Sequence, residues 1–544
     1  VAITFVTRGN ARGETRLALD DWAGLEQAER EVHGLRVTDD SGQPLAVERA
    51  HGGGHAEHGA AWTVHHPPGA VLHVHYAIVS TQDEVGDDSS SYYRPLLQPT
   101  FFHTIGNTSL LYAPTDSRDG AADPTLHIDF HWRGFAEAGW KVASSFSVEQ
   151  DFQATETSEH FRHAVFIAGE LHLVRRDIGP TKSPLWLAVA GSDWGFSDDA
   201  LADTAAKIVQ AQRAFFDDYR WPYFLISVIP VGRFQPGSYS RGGTGLTQSF
   251  GLFLTPKSDL GAENDGAGIR WLLSHELFHL WNGNRYELTD PEPLGYWFSE
   301  GFTDFYARRL LFRSGLAGIG PFVQNLDDKI LHYTLSPVRK EPATRIAADF
   351  WKDRAIEKLP YLRGDVVALV VDAEIRKVSH GEKGLDDLMK ELLAVRKDPT
   401  PKATPETFLA LIERYTSPAF VARIRKVVVD GAPLDVDPKL LEPCLHARID
   451  QVGPYDIGFD LHVAHTRHEV AGVVPGSVAY KAGLRNGQRF ATWSYDDDPR
   501  HPVDITVLDG AAKRTVRYLP QGKPRPVVQF YPDATPSPAC AKLL

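Results

Sequence analysis

Apolar and polar positions alternate along the first third of the chain. Val1-Ala2-Ile3-Thr4-Phe5-Val6, Val71-Leu72-His73-Val74-His75-Tyr76 and Leu126-His127-Ile128-Asp129-Phe130 carry the two-residue period of half-buried strands, with turn residues at short intervals. Residues 1–175 are expected to form a β-sandwich-like domain. From about Ser183 the period changes. A strand over Leu185–Ala190, a helix over Asp198–Tyr219 and a strand over Tyr223–Pro230 lead to the glycine-rich Arg241-Gly242-Gly243-Thr244-Gly245 and a strand over Ser249–Leu254. Trp271–Trp281 is apolar nearly all round, as a buried helix is, and a second helix should run from about Tyr296 to Phe312. Residues 317–430 have helical period, with Thr404-Pro405-Glu406 and Ser417-Pro418-Ala419 as N-cap-plus-proline starts. Strands return between Arg448 and Tyr518, and the proline-rich Pro520–Pro538 is expected to be extended.

At 544 residues the chain exceeds what one hydrophobic core supports, and three or four domains are expected. The net charge of −13 disfavours nucleic acid and anionic membranes as partners. No apolar stretch approaches the roughly eighteen residues a membrane span needs. A soluble protein is expected. The chain opens at Val1 directly in strand-like alternation, as it would after loss of a signal peptide or with a trimmed start. Cys444 and Cys540 are either a disulfide closing the last segment or two reduced thiols; the bridge would suit a periplasmic or secreted protein.

His275-Glu276-Leu277-Phe278-His279 changes the picture. Histidines four apart lie on one helix face, where both imidazoles reach one metal ion. Glu300, in Trp297-Phe298-Ser299-Glu300-Gly301-Phe302, supplies a third ligand and leaves a fourth position open for water, the layout of a catalytic zinc site. Glu276 projects beside that face and suits the role of general base. Asp304, one turn beyond Glu300, is either a carboxylate that orients a ligand histidine or a solvated helix position. Asn282 and Asn284 read as the polar end of the metal helix, or as contacts to a substrate backbone.

Gly242, Gly243, Thr244 and Gly245 lack the lysine of a phosphate loop. They read as a loop that lets a substrate backbone approach, beside an edge strand (Thr247–Leu254) open to a peptide, or as an ordinary hairpin turn. His51, His55, His58, His65 and His66 form either a metal-binding tract or a mobile polar loop, the latter favoured. Tyr361, in Pro360-Tyr361-Leu362-Arg363-Gly364, stands at the start of a helix whose apolar run Val366–Val371 should be buried.

With these residues in hand, the chain resembles the gluzincin metallopeptidases. His275 to Asn284 is similar to the aminopeptidase N pattern H-E-x-x-H-x-W-x-G-N, Trp297 to Phe302 to its W-x-x-E-G-F, and Pro360 to Gly364 to its P-Y-x-K-G. The glycyl aminopeptidase family is the closer likeness. Asn107-Thr108-Ser109-Leu110-Leu111, Glu300 to Tyr306 and Asp372-Ala373-Glu374-Ile375-Arg376 resemble its strings. The resemblance implies a multidomain α+β fold: a β-sandwich-like domain (1–175), a thermolysin-like α/β catalytic domain (176–316), a helical region completing the site (317–435) and a PDZ-like domain with a proline-rich tail (436–544). It implies one zinc ion on His275, His279 and Glu300, Glu276 activating water, and Tyr361 stabilising the oxyanion. The implied reaction is hydrolysis of a peptide bond near a free N-terminus with small first residues such as Gly or Ala. Ile457-Gly458-Phe459 resembles the carboxylate-binding loop of PDZ domains, which captures peptide C-termini; a PDZ-like fold that only packs against its neighbours is the alternative. The family departs from this chain at two places. The spacer between His279 and Glu300 is longer than in aminopeptidase N, which an extension at Asp290–Pro293 absorbs. The family's glycine-rich string ends in a Glu that pairs with the substrate ammonium, whereas Gly242–Ser249 holds no acidic residue and Thr247 stands in its place. That leaves aminopeptidase, endopeptidase and a non-catalytic binding protein as alternatives. Oligomeric state is unspecified.

Overall fold

The computed structural model describes residues 1–49, 59–82, 85–114, 124–234, 239–394, 400–494, 498–509, 512–532 and 537–544. The chain divides into two compact units, Val1–Trp281 and Asn282–Leu544. Among the described residues no helix is long and apolar enough to cross a membrane.

The first unit begins with small antiparallel sheets. One has Val71–Ile78 between Ala2–Arg8 and Val32–Thr38; another has Gly59–His65 between Glu14–Asp20 and Ala46–Arg49. The alternation seen in sequence decides the burial. Leu72, Val74, Tyr76 and Ile78 point into the core, and His73 and His75 point away from it. His73 pairs with Asp40 and His75 with Thr4. A five-stranded sheet follows, built from β1 (His172–Ile178), β2 (Ser183–Val189), β3 (Phe224–Pro230), β4 (Arg241–Leu246) and β5 (Ser249–Leu254) in the order β1-β2-β3-β5-β4. The β2, β3 and β5 strands run parallel, and helix α1 (Asp198–Phe216), started by the Ser197 side chain accepting from Ala200 N–H, connects β2 to β3. Helix α2 (Glu263–Phe278) carries the histidines.

The glycine-rich segment differs from expectation. It is the edge strand β4, not a loop, and β5 lies inside the sheet between β3 and β4. At two of its positions a side chain would collide with its neighbours. A Cβ at Gly242 would lie 2.3 Å from the Tyr92 hydroxyl, and one at Gly243 would lie 2.4 Å from the Phe250 ring.

In the second unit the expected single helix is two, α3 (Tyr296–Ser299) and α4 (Gly301–Arg313), with Glu300 at the junction. Helices α5 (Ile319–Leu335) and α6 (Arg354–Val378) pack with α4. The α6 helix starts earlier than the sequence suggests, because the Asp353 side chain accepts from the N–H groups of Ala355 and Ile356. Tyr361 is therefore two turns inside α6, while Val366–Val371 is buried as expected. Thr404 and Ser417 cap the helices Pro405–Tyr415 and Pro418–Val428.

Near the C-terminus, Arg489–Ser494, Val503–Asp509 and Ala512–Tyr518 form one sheet with the short helices Leu461–Arg467 and Val478–Ala482; Ala464, Leu484, Ile505 and Val507 fill its core. The proline-rich tail is more ordered than composition suggests. Arg525–Pro532 pairs with Leu445–Val452, and Pro538–Leu543 is helical. Cys444 and Cys540 form a disulfide, with Cα atoms 5.3 Å apart.

Candidate metal centre

The α2 helix is held from below and from the side. Gln212 of α1 donates to the Ser274 carbonyl (2.7 Å), the Trp281 indole donates to Asp218 (3.2 Å), and Arg241, at the head of β4, pairs with buried Asp265 in the first turn of α2 (2.9 Å). These bonds fix the helix around His275, which is buried, and His279, which is half-buried. Their Nε2 atoms are 3.2 Å apart, both aimed at one point. Glu276 turns toward β4, where a Cβ at Gly243 would sit 3.4 Å from its Cγ. One at Gly245 would sit 3.6 Å from the Glu276 carbonyl oxygen and 3.9 Å from the His279 Cβ. Thr244, opposite Gly251, completes the strand.

Sequence reasoning missed two tyrosines here. The Tyr93 hydroxyl donates to the Gly243 carbonyl (3.1 Å), and Tyr92 stacks on Phe253 at 4.4 Å. Burial pushes the Tyr92 phenol up to about 12, with the Glu276 charge adding to it. Tyr93 is raised further, again by burial first. No local motif marks either residue; the tertiary fold brings them to β4.

The Glu300 turn has its own supports. Asn282 is fully buried and donates to the carbonyls of Phe298 (3.3 Å) and Ser299 (3.0 Å) and to the Thr303 hydroxyl (3.0 Å), while accepting from Tyr286 (2.7 Å). It is a brace, not a substrate contact. Asn284 is exposed. Burial raises Tyr286 well above the usual phenol range, and the Glu300 charge adds to that. Asp304 is fully buried and ion-paired with Lys329, so it is not a solvated helix position. Gly301 and Gly364 bring α4 and α6 into backbone contact, and Tyr361 lies one turn before Gly364 on α6. Arg363 is buried and donates to the carbonyls of Arg339 and Glu341.

His275, His279 and Glu300 are the one group among the described residues whose His, Cys, Asp or Glu ligand atoms could share a metal, all lying within 4.8 Å of one another. Two imidazole nitrogens and a carboxylate oxygen at that spacing fit a zinc ion with a remaining open position.

Residues 269–357 match the family model of the M61 glycyl aminopeptidases. The chain is a zinc metallopeptidase. The matched span contains His275, Glu276, His279, Glu300 and Asp304, and stops before Tyr361. Comparison with curated proteins finds no match. Among solved structures, an aminopeptidase N family protein from Idiomarina loihiensis shares the fold at 17% identity and TM-score 0.70, covering 99% of this chain and 96% of its own. The M1 zinc metallopeptidase of Deinococcus radiodurans aligns with TM-score 0.46 at 14% identity, over 80% of this chain and 91% of its own.

The other expected residues lie apart from this centre in sequence. The Ile457 carbonyl accepts from the Tyr518 hydroxyl (2.6 Å), Gly458 has φ +78°, and Phe459 packs on Phe490. His66 is buried between Thr15 (2.8 Å) and the Pro67 carbonyl (2.8 Å), a satisfied structural histidine, and His65 sits beside Glu14 and Glu48. His51, His55 and His58 lie outside the described residues.

Proposed function

We propose that the metallopeptidase acts as an aminopeptidase, releasing small residues such as Gly or Ala from peptide N-termini. The observation that carries this reading is the convergence of His275, His279 and Glu300, with Glu276 facing the glycine-lined strand β4. His275, His279 and Glu300 would hold one zinc ion, which when bound supplies Lewis acidity and makes water nucleophilic near neutral pH. Glu276 takes the proton from the attacking water and hands it to the leaving amine. Tyr361 donates a hydrogen bond to the developing oxyanion. Asp304 supports the ligand set through its fixed carboxylate. Gly242, Gly243, Thr244 and Gly245 offer a strand edge on which a peptide backbone can lie.

The absence of an acidic residue in Gly242–Ser249 favours a second reading, an endopeptidase with no free-amine requirement, because a buried ammonium without a counter-charge is costly. Around Ile457, Gly458 and Phe459 the positive-φ glycine and the core of strands and short helices support a PDZ-like domain that binds a peptide C-terminus. The Cys444–Cys540 disulfide supports a periplasmic or secreted location. The deciding experiment is profiling with a peptide library whose N-termini are free or acetylated, with and without chelator, alongside metal analysis. Chelator-sensitive cleavage of free peptides alone supports the aminopeptidase. Equal cleavage of acetylated peptides establishes the endopeptidase, and zinc-loaded protein that cleaves nothing refutes both.

A further inference from the structure

Strand β4 is an edge strand, and its outward edge is capped at Gly243 and again just past its end at Thr247. The turn at Thr247-Gln248 closes the β4–β5 hairpin beside the Leu246–Ser249 pair. With the alternation of an antiparallel ladder, Leu246, Thr244 and Gly242 turn their backbone groups toward β5, and Arg241, Gly243 and Gly245 turn theirs outward. The contacts agree with this assignment. The Gly243 carbonyl accepts from the Tyr93 hydroxyl (3.1 Å), and the Thr247 N–H donates to the His163 carbonyl (2.7 Å). Between these two stops, Gly245 is the residue of β4 whose outward N–H and C=O have no partner among the described residues.

The two stops share a support. The Trp22 ring lies 5.0 Å from that of Tyr93 and 5.8 Å from that of His163, and is half-buried. Tyr93 is held in turn by Thr108, whose hydroxyl donates to the Tyr93 carbonyl (2.9 Å), and His163 is half-buried, its imidazole pushed down to about 4 by desolvation and so neutral at pH 7. One aromatic ring thus packs on both residues that cap β4 on either side of Gly245.

We propose that Trp22, wedged between Tyr93 and His163, is the specificity-determining wall of the cleft, leaving room on β4 for one small substrate residue at Gly245. The inference rests on the aminopeptidase reading and deepens it. It accounts for chain-end selection without an acidic residue in the glycine-rich strand: an extended N-terminus is refused by a steric stop, not by the lack of an ammonium partner. The ligand class is a peptide whose first side chain is no larger than a methyl group.

The test compares full-length wild type, Trp22→Ala and Trp22→Phe, each zinc-loaded, on peptides that differ only in their first residue (Gly, Ala, Leu or Phe). The expected result for Trp22→Ala is a rise of about tenfold or more in kcat/KM for Leu and Phe relative to Ala, the scale on which a pocket discriminates by one or a few methylenes. Trp22→Phe should move the same ratio in the same direction by a smaller factor. A folded Trp22→Ala protein, with a cooperative thermal transition, that keeps the wild-type ratio overturns the proposal. Should Trp22→Ala fail to fold, an unchanged ratio in Trp22→Phe overturns it equally. Zinc-loaded wild type that cleaves none of the peptides refutes the peptidase reading itself, an outcome separate from unchanged selectivity.

Discussion

Gly301 and Gly364 meet backbone to backbone. A Cβ on Gly301 would lie 2.3 Å from the Gly364 Cα, and one on Gly364 would lie 1.9 Å from the Trp297 carbonyl oxygen. Because these neighbours are main-chain atoms, no rotamer change relieves the clash. The contact sets the distance between the junction that bears Glu300 and the helix that bears Tyr361. Gly364→Ala should therefore separate α4 from α6 and lower stability by about 3 kcal/mol or more, with the overpacking penalty falling on backbone. The checks are a denaturant midpoint and zinc stoichiometry in the fraction that stays folded. A variant as stable as wild type would mean the helices can slide apart freely.

Glu276 and Tyr361 should separate kinetically from the metal ligands. Glu276→Gln keeps shape and hydrogen bonding but cannot take a proton, so zinc should remain bound while kcat falls by at least about 10²–10⁴. Tyr361→Phe removes one oxyanion donor, and kcat should fall by about 10²–10³ with KM little changed. Metal analysis and steady-state kinetics on both variants decide this. Full activity in either one removes that residue from the chemistry.

The candidate site was legible where chemistry follows from local spacing. His275 and His279 share a face because a helix turns every 3.6 residues, and Asp304 falls one turn beyond Glu300 for the same reason. The alternation of Val71–Ile78 and the caps at Thr404 and Ser417 were equally local signals. What sequence could not give was set by tertiary packing. A run of glycines reads as a loop because its residues have no β propensity, yet Arg241–Leu246 is a strand because it pairs with β5, and Tyr92 and Phe250 occupy the space where side chains at 242 and 243 would be. Trp22, Tyr93 and His163 come from three distant segments and carry no shared motif. The helix start at Asp353 was hidden by Pro360, which suggested a beginning but sits in the interior.

Asp304 and Lys329 form an ion pair in which Asp304 is fully buried and the Lys329 side chain is 16% exposed. Breaking it from one side leaves a poorly hydrated charge. Asp304→Asn should cost about 3–5 kcal/mol of stability and weaken zinc binding by about 10–100-fold, whereas Lys329→Met should weaken zinc binding less. Competition with a chromogenic chelator measures the affinity. Equal zinc affinity in folded Asp304→Asn would confine Asp304 to holding the helices together.

The Cys444–Cys540 bridge closes a segment of 96 residues. A loop of that length restricts the unfolded chain substantially, and Cys444→Ser with Cys540→Ser should lower stability by about 2–5 kcal/mol. Thermal unfolding with and without reductant provides the measurement. Reductant should lower the wild-type midpoint and leave that of the double variant where it is. Identical midpoints for both proteins would show that the bridge adds nothing to stability.

His103 makes stability depend on pH in a direction that can be worked out. The side chain is fully buried against Phe253 at 5.5 Å, with Ser227 its one hydrogen-bond partner among the described residues at 3.3 Å, and burial pushes its imidazole from the ordinary value down to about 3. The folded protein therefore keeps His103 neutral while the unfolded chain protonates it below about pH 6.5. Between these two values the unfolded state binds the extra proton, so stability falls as pH falls, with a slope of about 1.4 kcal/mol per pH unit from this residue. Above about pH 6.5 both states are neutral and the dependence vanishes. His103→Leu removes the proton-binding group from both states and should flatten the fall between pH 6 and pH 4, whatever it does to stability at pH 7. Denaturant titrations of wild type and variant across that window give the two slopes. Parallel curves would mean that His103 reaches a proton donor or solvent in the folded protein and titrates there as it does when unfolded.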